Sequence, residues 1–175
     1  MFKFLAIIIK FFEENQIPYM LSGSVAMSIY AIPRSTRDID FVASIRKDHV
    51  EKIVNFFRDG YYCDEDAILE SIKARSIFNI IDYASGFKAD FVILKDDSFR
   101  LNEFHRRQKH IFEGYPVYVV TVEDLLISKL IWIQDYQSPV QMEDISTLWE
   151  LDSMDKEYVN QWVKDLKLNT FKLLA

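Results

Sequence analysis

Six consecutive residues, Asp38 to Ala43 (DIDFVA), read as a β-strand that opens with two carboxylates on one face. Side chains at i and i+2 of a strand project together, so Asp38 and Asp40 stand side by side while Ile39 turns to the core. Two carboxylates that close repel, and without a counter-ion one of them has to hold a proton. A divalent cation removes the conflict. Hard oxygen ligands in a near-octahedral site favour Mg²⁺, which commonly takes substrate phosphates as well. The plainer alternative is a charged strand edge. Asp64-Glu65-Asp66 repeats the Asp-x-Asp spacing in a polar stretch without a strand signal, and reads as a solvated turn.

The remaining segments supply an α/β fold. Met1 to Phe12 (MFKFLAIIIKFF) gathers its charges, with Glu14, into one narrow stripe of the helical wheel. It therefore reads as a mostly buried helix, in the core or against a partner. Its apolar run is too short for an export signal, and Lys10 closes it without a small-residue cleavage site. Ile17 to Leu21 suits a strand with Pro18 at its edge, and Val25 to Ala31 a short helix. A helix from about Lys47 to Asp59 places Val50, Ile53, Val54 and Phe57 at helical spacing and stops at Gly60. Ser76–Tyr83 and Lys88–Leu94 flank the turn Ala84-Ser85-Gly86 as a hairpin, and Tyr115–Thr121 is a further strand. Beyond it the pattern is helical over Val122–Gln134, Gln141–Leu151 and Lys156–Leu166. The expected organisation is an α/β core over residues 1–120 and a C-terminal helical extension over 121–175 packed on it.

Composition narrows the function classes. A net charge of -6 and a pI near 5.1 exclude a chain-wide cationic surface for nucleic acid, though not a local basic patch. A single cysteine, Cys63, makes no internal disulfide and suggests a reducing compartment. Nothing approaches the roughly 20 apolar residues of a membrane span, so a cytoplasmic protein is expected.

Two further pieces bear on the carboxylate pair. Gly23-Ser24 lies between an expected strand and an expected helix, where glycine lets backbone approach a ligand and a helix N-terminus offers N–H groups to an anion. A simple turn with Ser24 as N-cap is the alternative. Asp90 sits near the start of a hairpin strand in Lys88-Ala89-Asp90-Phe91 (KADF). It completes a two-metal site or deprotonates an attacking hydroxyl, or else faces water as a strand-end charge.

Together these residues resemble the nucleotidyltransferase superfamily, the DNA polymerase β-like catalytic core. Leu21 to Ser24 (LSGS), a 13-residue spacer, Asp38-Ile39-Asp40 and Asp90 follow its signature in order and spacing. The stretch Arg34 to Asp40 (RSTRDID) looks like small bacterial members related to AbiEii-type toxins. Glu123-Asp124-Leu125, Lys129 and Asp144 are similar to the C-terminal pattern of those members.

The resemblance implies a mixed β-sheet flanked by helices, and a Mg²⁺-dependent transfer of NMP from a nucleoside triphosphate to an acceptor hydroxyl. Asp38, Asp40 and Asp90 would hold a pair of Mg²⁺ ions, and Asp90 would also help activate the acceptor. Gly23 and Ser24 would take the β- and γ-phosphates, Arg37 would offset developing charge or bridge to a carboxylate, and Lys129 would reach the triphosphate. An exposed helix lysine is the alternative for Lys129, and a helix-surface charge that for Asp144. Ser22 stands where many relatives have glycine, a mild departure. With 31 residues after Asp144, acceptor recognition is expected from the short tail, a partner or the core surface.

Acceptor candidates are tRNA or another RNA, a protein, or a small molecule such as an antibiotic. A toxin of a toxin–antitoxin pair is the favoured subtype, with an antitoxin or a second copy meeting the N-terminal helix. The rival reading is a non-catalytic nucleotide- or partner-binding module. Arg100 to His110 (RLNEFHRRQKH), the basic cluster, could contact RNA phosphate or an anionic acceptor but reads first as a solvated linker between strands, and Trp132, Trp149 and Trp162 read as packing for the three tail helices.

Overall fold

A computed structural model describes residues 1–31 and 36–174; Arg34 and Ser35 of the RSTRDID stretch lie outside the described residues. The elements run α1 (Phe2–Glu14), β1 (Tyr19–Ser22), α2 (Gly23–Tyr30), β2 (Asp38–Ala43), a 3₁₀ turn (Lys47–His49), α3 (Val50–Phe56) and β3 (Tyr61–Tyr62). They continue α4 (Glu65–Ala74), β4 (Ile77–Asp82), β5 (Lys88–Ile93), α5 (Ser98–Arg106), β6 (Gln108–Phe112), β7 (Tyr115–Val119), α6 (Val122–Ile133), α7 (Pro139–Trp149) and α8 (Lys156–Asp165).

The strands form one seven-stranded sheet in the order β3-β4-β5-β2-β1-β7-β6. It is mixed: β2 runs parallel to β5 and antiparallel to β1, while β1 runs parallel to β7. The central place of β2 explains its sequence. Ile39, Phe41 and Ala43 are buried on one face, while Asp38 and Asp40 occupy the other at the end where the strand begins. No helix among the described residues is long and apolar enough to cross a membrane.

The N-terminal helix belongs to the core. Phe4, Leu5, Ile8, Ile9, Phe11 and Phe12 of α1 are all buried, and Lys10 pairs with Glu14 on the solvent side. Phe12 stacks on Tyr19 of β1 at 4.8 Å and meets Phe41 and Phe91 edge-on, so one ring ties the helix to three strands. Phe78 and Phe91 stack at 5.0 Å, extending the same aromatic layer into β4. Phe12→Ala is expected to cost about 3–5 kcal/mol of stability, because neighbouring strands hold the cavity open. Urea denaturation measures this, and a loss below about 1 kcal/mol would mean that α1 is not a structural member of the core.

Three expectations need correction. Asp64-Glu65-Asp66 is not a solvated turn but the start of α4: Asp64 caps it by accepting the Ala67 N–H at 2.9 Å, and two acids fill the first turn. Residues 100–110 are not a linker but the body of α5 followed by edge strand β6, anchored by buried Phe99, Glu103 and Phe104. Trp132 does not pack the tail. It is 65% exposed, because α6 already buries Leu125, Leu126, Leu130 and Ile133, whereas Trp149 is buried and Trp162 packs edge-on against Phe99 of α5.

Candidate active site

The junction of β1 and α2 sets the position of Asp40. Ser22 pairs with Asp40 across the strands, and the chain then enters α2 at Gly23 with φ +61°. A Cβ on Gly23 would fall 1.9 Å from Asp40 Oδ2, so only glycine satisfies both the backbone and the carboxylate. Ser22, not Ser24, is the N-cap of α2. The Ser24 N–H is directed to the Asp40 carboxylate.

The second junction is the parallel pair β2/β5. Its register sets Asp38 opposite Lys88 and Asp40 opposite Asp90. The three expected carboxylates therefore share one face at one end of the sheet. Burial, then the charges of Asp90 and Asp38, push the Asp40 carboxyl up to about 6; the Ser24 N–H and the field of Lys129 pull against that rise. Among the described residues no three Asp, Glu, His or Cys side chains close around one point as a metal ion requires. The cation between them is instead the Lys88 ammonium, 2.8 Å from Asp90 Oδ2 and 3.5 Å from Asp38 Oδ1. In chemistry the donor set suits a hard divalent ion, since it offers oxygen ligands only.

Lys129 is not an exposed helix lysine. It is 4% exposed in α6, and its ammonium donates to Asp144 Oδ2 at 2.8 Å and to Gln141 Oε1 at 2.9 Å on α7. Asp144 is correspondingly a buried partner rather than a surface charge. Lys129→Met is expected to cost about 3–5 kcal/mol, because it leaves Asp144 buried without its ion pair, and the double change with Asp144→Leu to recover much of that. Equilibrium denaturation of the three variants checks it; equal losses in the single and double variants would contradict it.

Glu123 and Asp124 hold the tail to the core rather than facing the carboxylate cluster. Asp124 accepts from Arg106 Nε at 3.0 Å, from Tyr158 Oη at 2.6 Å and from Thr121 Oγ1 at 2.7 Å, which joins α5, α6 and α8. Glu123 takes the other arm of the same guanidinium at 3.1 Å, and that guanidinium lies 4.0 Å over the Tyr158 ring. Arg37 is exposed just before β2 and forms no ion pair among the described residues. A cleft of about 200 Å³ opens beside Ser24, lined also by Met1, Phe2, Ser28, Thr36 and Phe112. A larger one of about 340 Å³ lies at the far end of β2 and β5, near Ser44 and Leu94, away from the carboxylates. Lys88 is the site residue that sequence reasoning passed over. The i/i+2 rule that pairs Asp38 with Asp40 also pairs Lys88 with Asp90.

No protein-family description matches the sequence, and no curated protein matches it. Solved structures do. ANT(2'')-Ia, an antibiotic-resistance factor, superposes with a TM-score of 0.63 at 11% identity, over 93% of this chain and 89% of that one. LnuA, a lincosamide antibiotic adenylyltransferase, gives 0.57 at 16% identity, over 85% and 96%. An antigenic nucleotidyltransferase-like protein from Paracoccidioides brasiliensis gives 0.51 at 13%, over 93% and 87%.

This chain has the nucleotidyltransferase fold.

Within the nucleotidyltransferase fold, the glycine turn after β1 and the carboxylates of β2 and β5 meet at one sheet end. Gly23 is in van der Waals contact range of Asp40, and Asp40 is registered with Asp90.

Proposed function

We propose that the protein is a Mg²⁺-dependent nucleotidyltransferase that moves NMP from a nucleoside triphosphate to an acceptor hydroxyl. The observation that carries this reading is the register of Asp40 with Asp90 beside a glycine whose Cβ would displace the Asp40 carboxylate. Asp38, Asp40 and Asp90 would hold the metal, which when bound neutralises phosphate charge and lowers the pKa of coordinated oxygens. Asp90 takes the proton of the acceptor hydroxyl as its oxygen forms a bond to the α-phosphorus. The bond from that phosphorus to the β-bridging oxygen breaks, and pyrophosphate leaves with the electron pair. The Ser24 hydroxyl and the Gly23 amide receive the β- and γ-phosphates, while the Ser24 amide stays on Asp40. Arg37, exposed just before β2, meets the triphosphate, and Lys129 adds positive field at Asp40. The C-terminal helices, residues 121–175, act as the extension that brings Lys129 to the core.

The acceptor we favour is a small hydroxylated molecule. What supports it is the likeness in fold, over most of both chains, to an antibiotic-resistance factor and to a lincosamide antibiotic adenylyltransferase. The Lys129–Asp144 pair supports a second subtype, an AbiEii-like toxin acting on RNA, because it links two positions of that C-terminal pattern. The Lys88 ammonium among the carboxylates supports the other class, a nucleotide-binding module without transfer.

One experiment separates them. The protein is incubated with Mg²⁺ and each α-³²P-labelled nucleoside triphosphate, with an aminoglycoside and lincosamide panel in one arm and total RNA in another. Label moving to an acceptor, and lost in Asp38→Ala and Asp40→Ala, supports the transferase and names the acceptor class. Nucleotide binding without transfer in any arm leaves the module.

A further inference from the structure

Lys88 lies where strand pairing forces it. It is opposite Asp38 in the parallel register and two residues before Asp90 on the same face, so its side chain emerges between the two carboxylates. Its ammonium bonds Asp90 at 2.8 Å and approaches Asp38 at 3.5 Å. The strand does not need this side chain, because the β2/β5 and β4/β5 ladders use only backbone. Lys129 acts on Asp40 through its field, while its ammonium bonds Asp144 and Gln141.

We propose that Lys88 is a built-in rival of the metal ion: its ammonium holds Asp90 and Asp38 in the metal-free protein and competes with a divalent cation for them. The proposal rests on reading these carboxylates as metal ligands. A divalent cation and the Lys88 ammonium repel each other across one carboxylate, so part of the metal's attraction is spent on displacing the lysine. The displacement needs no refolding. The side chain is 35% exposed, and a flexible four-carbon stem lets the ammonium swing to water. Lys88 thereby sets how much free metal is needed to assemble the site.

The probe is Mn²⁺, followed by loss of its free-ion electron paramagnetic resonance signal, in wild type, Lys88→Met, Lys88→Arg and Asp40→Asn. Lys88→Met is expected to bind Mn²⁺ about tenfold or more tightly than wild type, while Lys88→Arg, which keeps the cation, stays within about threefold of it. Lys88→Gln serves in place of the methionine variant if that one does not fold. In wild type, Mg²⁺ is expected to speed amine acetylation of Lys88, read by peptide mass spectrometry, which a purely structural ion pair would not show. Equal or weaker Mn²⁺ binding in Lys88→Met, with binding still lost in Asp40→Asn, overturns the role of Lys88 alone. Binding absent from wild type, or unchanged in Asp40→Asn, overturns the metal reading and this proposal with it.

Discussion

Asp40→Asn is expected to abolish nucleotidyl transfer and, in the metal-free protein at neutral pH, to raise the melting temperature by about 4–8 °C. Both effects come from one carboxylate. Burial and the charges of Asp90 and Asp38 raise the Asp40 carboxyl from its ordinary 3.8 to about 6. A carboxyl whose folded pKa exceeds its unfolded one costs nothing below about pH 4, where both states are protonated. The cost grows between about pH 4 and pH 6, where only the unfolded state ionises, and is complete above about 6. Two units correspond to about 2–3 kcal/mol, or several degrees for a domain of this size. Asparagine removes that cost while keeping the shape. Mg²⁺ is expected to remove it too, by binding the ionised form, so it should raise the melting temperature of wild type more at pH 7.5 than at pH 5. Scanning calorimetry on both proteins, with and without Mg²⁺ at the two pH values, tests this. A variant less stable than wild type at pH 7.5, or a Mg²⁺ shift that survives in Asp40→Asn, would contradict the account.

The Asp38/Asp40 pair was readable in the sequence because it depends on local rules. Strand alternation alone puts Asp38 and Asp40 on one face, and β2 spans the expected residues Asp38–Ala43. The hairpin of β4 and β5 carried its own turn signal in Ala84-Ser85-Gly86. Which strand lies beside β2 is a different kind of fact. β5 pairs with it across 50 residues, and only that pairing registers Asp90 with Asp40 and drops Lys88 between the carboxylates. The burial of Lys129 was equally hidden. On a helix as evenly apolar as α6, one lysine looks like the water-facing stripe, and the partner that makes its burial tolerable sits 15 residues on, in α7. Helix α4 was missed because an acidic triple followed by a modest apolar pattern satisfies a turn as well as a helix start.

Gly23→Ala carries the other large effect, and it tests the geometry of the site rather than its charge. At φ +61° an alanine pays about 1–2 kcal/mol for the left-handed conformation alone. Its Cβ would also lie 1.9 Å from Asp40 Oδ2 and 2.5 Å from the carboxyl carbon, so Asp40 has to turn away. That movement breaks the Ser24 N–H contact with the carboxylate and its alignment with Asp90. A loss of at least about 2–3 kcal/mol is therefore expected, with transfer reduced by about 10³-fold or more, since a 1 Å misplacement of a reacting group already costs about 10². Gly60→Ala and Gly86→Ala are the controls. Both glycines also have positive φ, at +88° and +71°, but a Cβ meets nothing within 4 Å at either, so each is expected to lose only about 1–2 kcal/mol and keep its transfer rate. Urea denaturation and single-turnover rates of the three variants decide the matter. If Gly23→Ala behaved like the controls, the approach of the turn to Asp40 would not be what holds the carboxylate in place.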